Sequence, residues 1–388
     1  MKKNPNSNKY KKGILIISPF FRPNIGGAET HLDDLCEYLR THDHEVYVLT
    51  YQPLTTKAKG LKLEKKENLE IRRIWWPGFN IFHKLEPYPI LEVLYLAPRL
   101  FWATLCFLFF YRNKIDVIHA HGFNASLVTR LVNVFFRKRA IMSTHAIYNL
   151  ERKPLMGKVI KWLMEEVDAI MALADRSKRE LIAIGIPEKK IKSYNQWVNQ
   201  LLFKPRNKTD CRKSLGLDGS FFAVFVGRLI EKKGVKILIE VAKKLPEIKF
   251  VFVGDGPMLN ELKAAEKQLK NIYVVGRKNQ EETALYYGAS DVVIVPSQYE
   301  EGFARVVLET LSSGRPVIAA NKGCLPEMIT HEVGVLVEPT VDNVARQIKF
   351  FYENRKELKK LTDNCRKYAL HHFSESNAKL IEGTYQEV

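Results

Sequence analysis

PSQYEEGFARVVLETLSSGRPVIAA, Pro296 to Ala320, joins a strand to a helix through a loop and holds Glu301 and Glu309 eight positions apart. The run that leads into it, DVVIVPS from Asp291 to Ser297, has the length and β-branched content of a buried strand. Arg305 to Leu311 resumes a helical apolar period, closed by Gly314. Glu301 thus precedes the helix and Glu309 lies inside it. The backbone amides of Gly302, Phe303 and Ala304 then point past the strand end, where a helix N-terminus favours phosphate. A carboxylate accepts hydrogen bonds from two vicinal hydroxyls at once, so two carboxylates beside a phosphate pocket suit a polyol. A nucleotide diphosphate sugar joins both chemistries in one ligand. The competing reading is a surface helix with two solvated glutamates. Against it stand Gly302, Gly314 and Pro316, which punctuate both ends of the segment as in a shaped loop.

Outward from this stretch, strand and helix patterns alternate, as in parallel sheets wrapped by helices. In the first half the strands are expected at 14–18, 46–50, 69–75, 117–119, 140–144 and 169–172, with an amphipathic helix over 29–39. The second half repeats the plan at 222–226, 250–253, 272–275, 292–295, 317–319 and 334–337. A chain of 388 residues is too long for one core and comfortable for two. The polar, Pro-containing segment NQLLFKPRN, 199–207, separates the halves. The reading is a basic tail over 1–12, a Rossmann-like domain over 13–200, a second over 201–373 and a final helix within 374–388.

Five scattered cysteines with no CxxC spacing read as reduced and buried, as in a cytosolic protein, and no metal-ligand cluster is expected. The basic N-terminal stretch leads into an apolar run of only strand length, so a signal peptide is not expected. Tyr88 to Tyr111 approaches membrane-spanning length but is interrupted by Glu92, Pro98 and Arg99, which favours a buried or interfacial helix. Net charge is +18, gathered in 57–73, 130–139, 152–161 and 176–192. No nucleic-acid recognition motif accompanies it, so nucleic acid is not expected as a partner. Basic patches beside Trp75, Trp76, Phe79, Phe82 and Trp102 suit an anionic membrane surface, unless those rings simply fill the core.

Arg228 and Lys233 flank the turn after the strand AVFVG, where fixed cations would stabilise a departing pyrophosphate. Gly26 and Gly27 follow the first strand and open its helix, letting backbone approach an anion. This is not GxGxxG, so a dinucleotide-dependent enzyme lacks its chief support. His145 ends a strand at the carboxyl edge of the first sheet. His119 and His121 share one strand face; the reading is one packing histidine and one facing the cleft, His121.

Taken in order, GGAE (26–29), DVIHAHG (116–122), STH (143–145), VGRLIEKKG (226–234), VGDGP (253–257) and the Glu301/Glu309 segment resemble family 4 retaining glycosyltransferases over about residues 13 to 375. The resemblance implies a GT-B fold, two Rossmann-like domains with parallel sheets facing across a cleft, and a last helix crossing back onto the first domain. It implies transfer of a sugar from a nucleotide diphosphate, UDP or GDP, to an acceptor hydroxyl with retention. It places Glu309 on the ribose, Glu301 on the transferred sugar and Arg228 and Lys233 on the phosphates. His145 falls close to the sugar and Gly276, Arg277 and Lys278 near the base. Gly26 and Gly27 would touch donor phosphates or acceptor. No carboxylate takes the nucleophile role that retaining hydrolases use, and the resemblance implies attack on the face the diphosphate leaves. An Asp-x-Asp pair is absent, so no obligatory cofactor or metal is expected. Two departures stand out: NQWVN at 195–199 replaces an Asn-Gly-Val-Asp turn, and Ala304 replaces a common glycine. A lipid, a lipid-linked glycan or a surface polysaccharide fits as acceptor, for an enzyme in the cytoplasm or at the inner membrane face. The alternatives are a nucleotide-sugar epimerase on the same shell, a phosphorylase carrying pyridoxal phosphate on a lysine, and a non-catalytic membrane-surface protein.

Overall fold

The computed structural model describes residues 11–24, 26–77, 81–85 and 88–388. Phe79 and most of the expected basic tail lie outside them. The chain forms two compact units, one running to Gln196 and completed by Ser376–Val388, the other Trp197–Glu375.

The first unit holds β1 (Gly13–Ile17), β2 (Glu45–Tyr51), β3 (Leu63–Lys66), β4 (Leu69–Ile74), β5 (Val117–His121), β6 (Arg139–Ser143), β7 (Ala169–Leu173) and β8 (Ile191–Tyr194). They pair in the order β3-β4-β2-β1-β5-β6-β7-β8, parallel throughout except between β3 and β4. Every residue of β1, GILII, is buried, as a central parallel strand covered on both faces requires. The second unit holds β9 (Phe222–Val226), β10 (Lys249–Val253), β11 (Ile272–Gly276), β12 (Val292–Val295), β13 (Val317–Ala320) and β14 (Gly334–Val337), all parallel.

Differences from the sequence expectation have physical causes. β3 (LEKK) and β8 (IKSY) lack an apolar run because each sits at a sheet edge with solvent on one side. The division between units falls after Gln196, not Gln200, because Val198 and Phe203 are buried in the second unit's core and Arg305 Nη1 donates to the Trp197 carbonyl at 3.2 Å. The last helix spans Ala378–Glu387 after a 3₁₀ turn. Its Tyr385 shares a 2.6 Å hydrogen bond with His119 Nδ1, and its Glu382 accepts from Tyr38 at 2.8 Å and lies 3.0 Å from His44. All five cysteines are free, but Cys106 is exposed rather than buried.

Candidate active site

In the order β11-β10-β9-β12-β13-β14 the chain winds outward from β9 to β11, then returns to build the other half from β12. This reversal sets the loops after β9 and β12 side by side at the carboxyl edge, where open α/β sheets take their ligands. The two loops touch. Gln298 N donates to the Lys232 carbonyl at 2.8 Å, and Gly234, at φ +82°, lies so close that a Cβ there would meet the Pro296 carbonyl oxygen at 2.3 Å. Beyond β13, Cys324 N donates to the Glu301 carbonyl at 2.9 Å and Gly323 N to Glu300 Oε2 at 2.8 Å. The loop that carries Glu301 is therefore held by backbone contacts from both neighbouring loops.

Its carboxylate, on a residue only 5% exposed, accepts three hydrogen bonds. Lys233 Nζ and Ser297 Oγ each reach Oε1 at 2.5 Å, and Tyr299 OH reaches Oε2 at 2.9 Å. Burial pulls the Lys233 pKa down, but the charge of Glu301 and the contact with Tyr299 outweigh it and hold the ammonium above its ordinary value. An ammonium has three N–H groups, so Lys233 keeps donor capacity beyond Glu301. Arg228, after β9, is exposed and has no side-chain partner among the described residues. The amides of Gly302, Phe303 and Ala304, which lead into the helix Arg305–Ser312, likewise donate to none of them. Ala304 is the helix N-cap, at the positive end of its dipole, and Gly302 and Phe303 lead into it. One buried carboxylate thus stands against the Lys233 ammonium, one residue before three amides that have no partner among the described residues.

Glu309 is one turn into that helix. Its Oε2 accepts from Tyr287 OH at 2.8 Å, and its Oε1 lies 3.8 Å from Arg305 Nε, with the carboxylate mostly buried. Burial first and Glu309 second push the Tyr287 pKa well up. Gly276, at φ +72°, closes β11; Arg277 is exposed and Lys278 lies 3.5 Å from Glu282. They stand on the same carboxyl edge, two strands from β9.

The first unit shows the same kind of reversal between β1 and β5. Gly26 is the extended N-cap of the helix Gly27–Thr41, and Thr30 N returns to its carbonyl at 3.1 Å. His121 does not face open space: it is 3% exposed, because His145 from the end of β6 closes over it with Nε2 at 2.9 Å from His121 Nδ1. His119 packs below, between Tyr385 and Ser143 Oγ at 2.8 Å. Burial lowers all three imidazoles, His119 to about 3 and His145 to about 4, so each is neutral near pH 7. His121 Nε2 and His145 Nδ1 are buried with no hydrogen-bond partner among the described residues. The shared bond couples their tautomers: if His121 donates across it, His145 Nδ1 carries the proton.

Sequence reading missed Ser297, Tyr299, Tyr287 and Gly323. For the first two a signal existed, since 297, 299 and 301 have the period-two spacing of residues on one side of an extended segment. Tyr287 and Gly323 come from distant elements, and only the fold brings them in.

Two family models divide the chain: Glycosyltransferase Family 4 matches 25–194, and Glycosyl transferases group 1 matches 207–369. An uncharacterized glycosyltransferase of Methanocaldococcus jannaschii, MJ1607, is 29% identical over 353 residues, 84% of this chain and 85% of that protein. A phosphatidylinositol N-acetylglucosaminyltransferase subunit of Arabidopsis thaliana is 24% identical over 87% of this chain and 74% of its own. The structure of HepE from Anabaena in complex with UDP-glucose superposes with a TM-score of 0.78 at 21% identity, covering 97% of this chain and 100% of that one.

Proposed function

The chain is a glycosyltransferase of the family 4 kind with a GT-B fold, and from that premise we propose that it moves a sugar from a nucleoside diphosphate to an acceptor hydroxyl with retention. The observation that carries this reading is the β9/β12 reversal, where Lys233 of the loop after β9 meets the buried Glu301 of the loop after β12, with Arg228 exposed on the first loop and the amides of 302–304 without a backbone partner among the described residues on the second. The diphosphate lies against the cations and the helix N-terminus, which stabilise the charge that grows as the glycosidic bond breaks. Glu301 takes hydroxyls of the sugar and Glu309 those of the ribose. Glu301 is already engaged by Lys233, Ser297 and Tyr299, which suits a positioning carboxylate better than a nucleophile. The acceptor then attacks from the face the diphosphate leaves, and a phosphate oxygen receives its proton.

In the first unit, His145 offers a sugar hydroxyl a neutral imidazole. A nucleoside diphosphate such as UDP is the donor carrier we favour, in keeping with the ligand named for HepE. A lipid-linked acceptor is favoured by the name of the Arabidopsis relative, which acts on phosphatidylinositol.

The test is a panel of nucleoside diphosphates and their sugars, read by thermal stabilisation and by release of nucleoside diphosphate with and without acceptor. One base with its sugar should raise the melting temperature selectively, and the product glycoside should keep the donor's anomeric configuration. Absence of any shift across the panel, from a protein that melts cooperatively, would refute the donor site.

A further inference from the structure

We propose that the outward face of one helical layer in the first unit is a docking surface for an anionic lipid bilayer. The layer consists of the helices Pro89–Tyr111, Phe123–Phe136 and Pro154–Glu165, which contact one another in sequence. The inner sides of the first two share one core: Leu96, Leu100 and Leu108 meet Val128, Val132 and the strand residues Ile118 and Ala120. The third helix packs through Ile160 and Met164 on Ala140 and Met142. Those two residues pair with Ile118 and Ala120, so they lie on the same sheet face and all three helices form one layer.

The outer side of that layer is apolar where a solvated surface would be polar. Along Pro89–Tyr111 the exposed positions 91, 94, 98, 102, 106 and 109 follow helical spacing and read Leu, Leu, Pro, Trp, Cys, Phe. Trp102 is 58% exposed, Phe109 70% and Phe110 78%. The next helix adds Val134 and Phe135, and the third adds Leu155, Val159 and Trp162 at i, i+4, i+7. Arg130 bridges these two helices, its guanidinium 4.3 Å from the Trp162 ring and donating to the Trp162 carbonyl at 2.6 Å. Isolated exposed apolar residues need no explanation, but a contiguous face of this extent does.

Charge selects the occupant. Each helix precedes a strand of the same parallel run, so all three run in one direction and their C-terminal ends share one side. Arg112 and Lys114 follow the first helix and Arg137, Lys138 and Arg139 the second, Arg139 paired with Asp168 at 3.0 Å; Lys158 and Lys161 lie along the third, whose end carries Glu165 and Glu166, so the cations gather at the ends of the first two helices. Apolar rings flanked by cations match the acyl boundary and phosphate layer of an acidic membrane leaflet. Although Ile90–Lys114 has the length and composition to cross a membrane, its inner side is fixed in the sheet core, so it lies along the bilayer. Trp76 and Phe82 take no part, being packed against that core.

The full-length protein is sedimented with phosphatidylcholine vesicles and with phosphatidylcholine–phosphatidylglycerol vesicles at low and high salt. Binding to the acidic vesicles, weakened by salt, is expected. Arg112→Glu/Arg137→Glu/Lys138→Glu should weaken it by about 100-fold or more, at roughly a fivefold effect per surface cation. Trp102→Ser/Phe109→Ser/Phe110→Ser should abolish retention at high salt, while both triple variants keep the wild-type melt and nucleotide response. That retained response separates failure here from failure of the donor-site reading. No binding at low salt, or equal salt-insensitive binding to both vesicles, would overturn the proposal. So would resistance of bound protein to alkaline carbonate, which marks a span, or a dimer by light scattering that the aromatic variant dissolves, which marks a second copy on this face.

Discussion

Replacing Lys233 by Met separates what the lysine does for the empty site from what it does for the donor. In the ligand-free protein its ammonium is one of three donors to Glu301, at 2.5 Å, with about a fifth of its side chain exposed. Removing one partner of a fully buried pair costs about 3–5 kcal/mol. Here Ser297 and Tyr299 still hold the carboxylate and the lysine is partly solvated, so a loss of about 2 kcal/mol is expected. For a unit of this size that lowers its melting temperature by about 4–8 °C. The lysine's pKa is raised in the folded protein, so its stabilisation is complete below its unfolded value and fades as pH climbs through the folded one. The gap between wild type and variant should stay constant from pH 6 to 9 and close only in strong alkali.

Donor binding gives a second number. A charge-assisted hydrogen bond to phosphate is worth about 1.5–3 kcal/mol, so the nucleoside diphosphate Kd should rise about 10- to 150-fold. Titration calorimetry with UDP, or whichever diphosphate the panel selects, reads this directly. Glu301→Gln supplies the control: it keeps the cation and the amides and removes the carboxylate that competes for Lys233, so diphosphate affinity should hold or rise by a few-fold while sugar transfer falls by at least 100-fold. If Lys233→Met binds the diphosphate as tightly as wild type, the phosphate does not lie at the β9/β12 reversal and the site has been misread.

Gly234→Ala forces a left-handed backbone on alanine and places its Cβ against the Pro296 carbonyl oxygen; unfolding in denaturant should show a loss of at least about 2 kcal/mol in the second unit, and a loss under 0.5 would refute the close approach. Tyr287→Phe removes a buried donor to Glu309 and should cost about 1–3 kcal/mol, with a rise in KM for the donor larger than the fall in kcat if Glu309 holds the ribose. Because His119 is neutral when folded, with a pKa near 3 against 6.5 unfolded, its stabilisation is present above pH 6.5 and lost on acidification. It should account for about 2.5 kcal/mol of destabilisation between pH 7 and 4.5, and His119→Asn, compared at both pH values, should lose that share of the slope.

Most of the two sheets is legible in the sequence because their central strands are buried on both sides, which forces short unbroken apolar runs such as FAVFV and VVIV. Edge strands are free of that rule: β11 (IYVVG) and β14 (GVLV) keep an apolar run and are legible, whereas β3 (LEKK) and β8 (IKSY) carry charged and polar residues and are not. Glu301 could be named from its loop position and residue type, and Arg228 and Lys233, which alone read as solvated charges, with the help of the family resemblance. Their relation could not, because Lys233 and Glu301 lie 68 positions apart and meet only through a strand order that reverses between β9 and β12. An empty site lined only by cations and amide dipoles would carry uncompensated positive charge in a half-buried place. Here Glu301 neutralises one cation and is in turn neutralised by it, so the site is stable without ligand. An incoming diphosphate therefore does not add a missing counter-ion; it competes for Lys233 with a carboxylate already in place, while the sugar hydroxyls offer that carboxylate replacement donors. Diphosphate and sugar should then bind better joined than apart, because each relieves the vacancy the other creates.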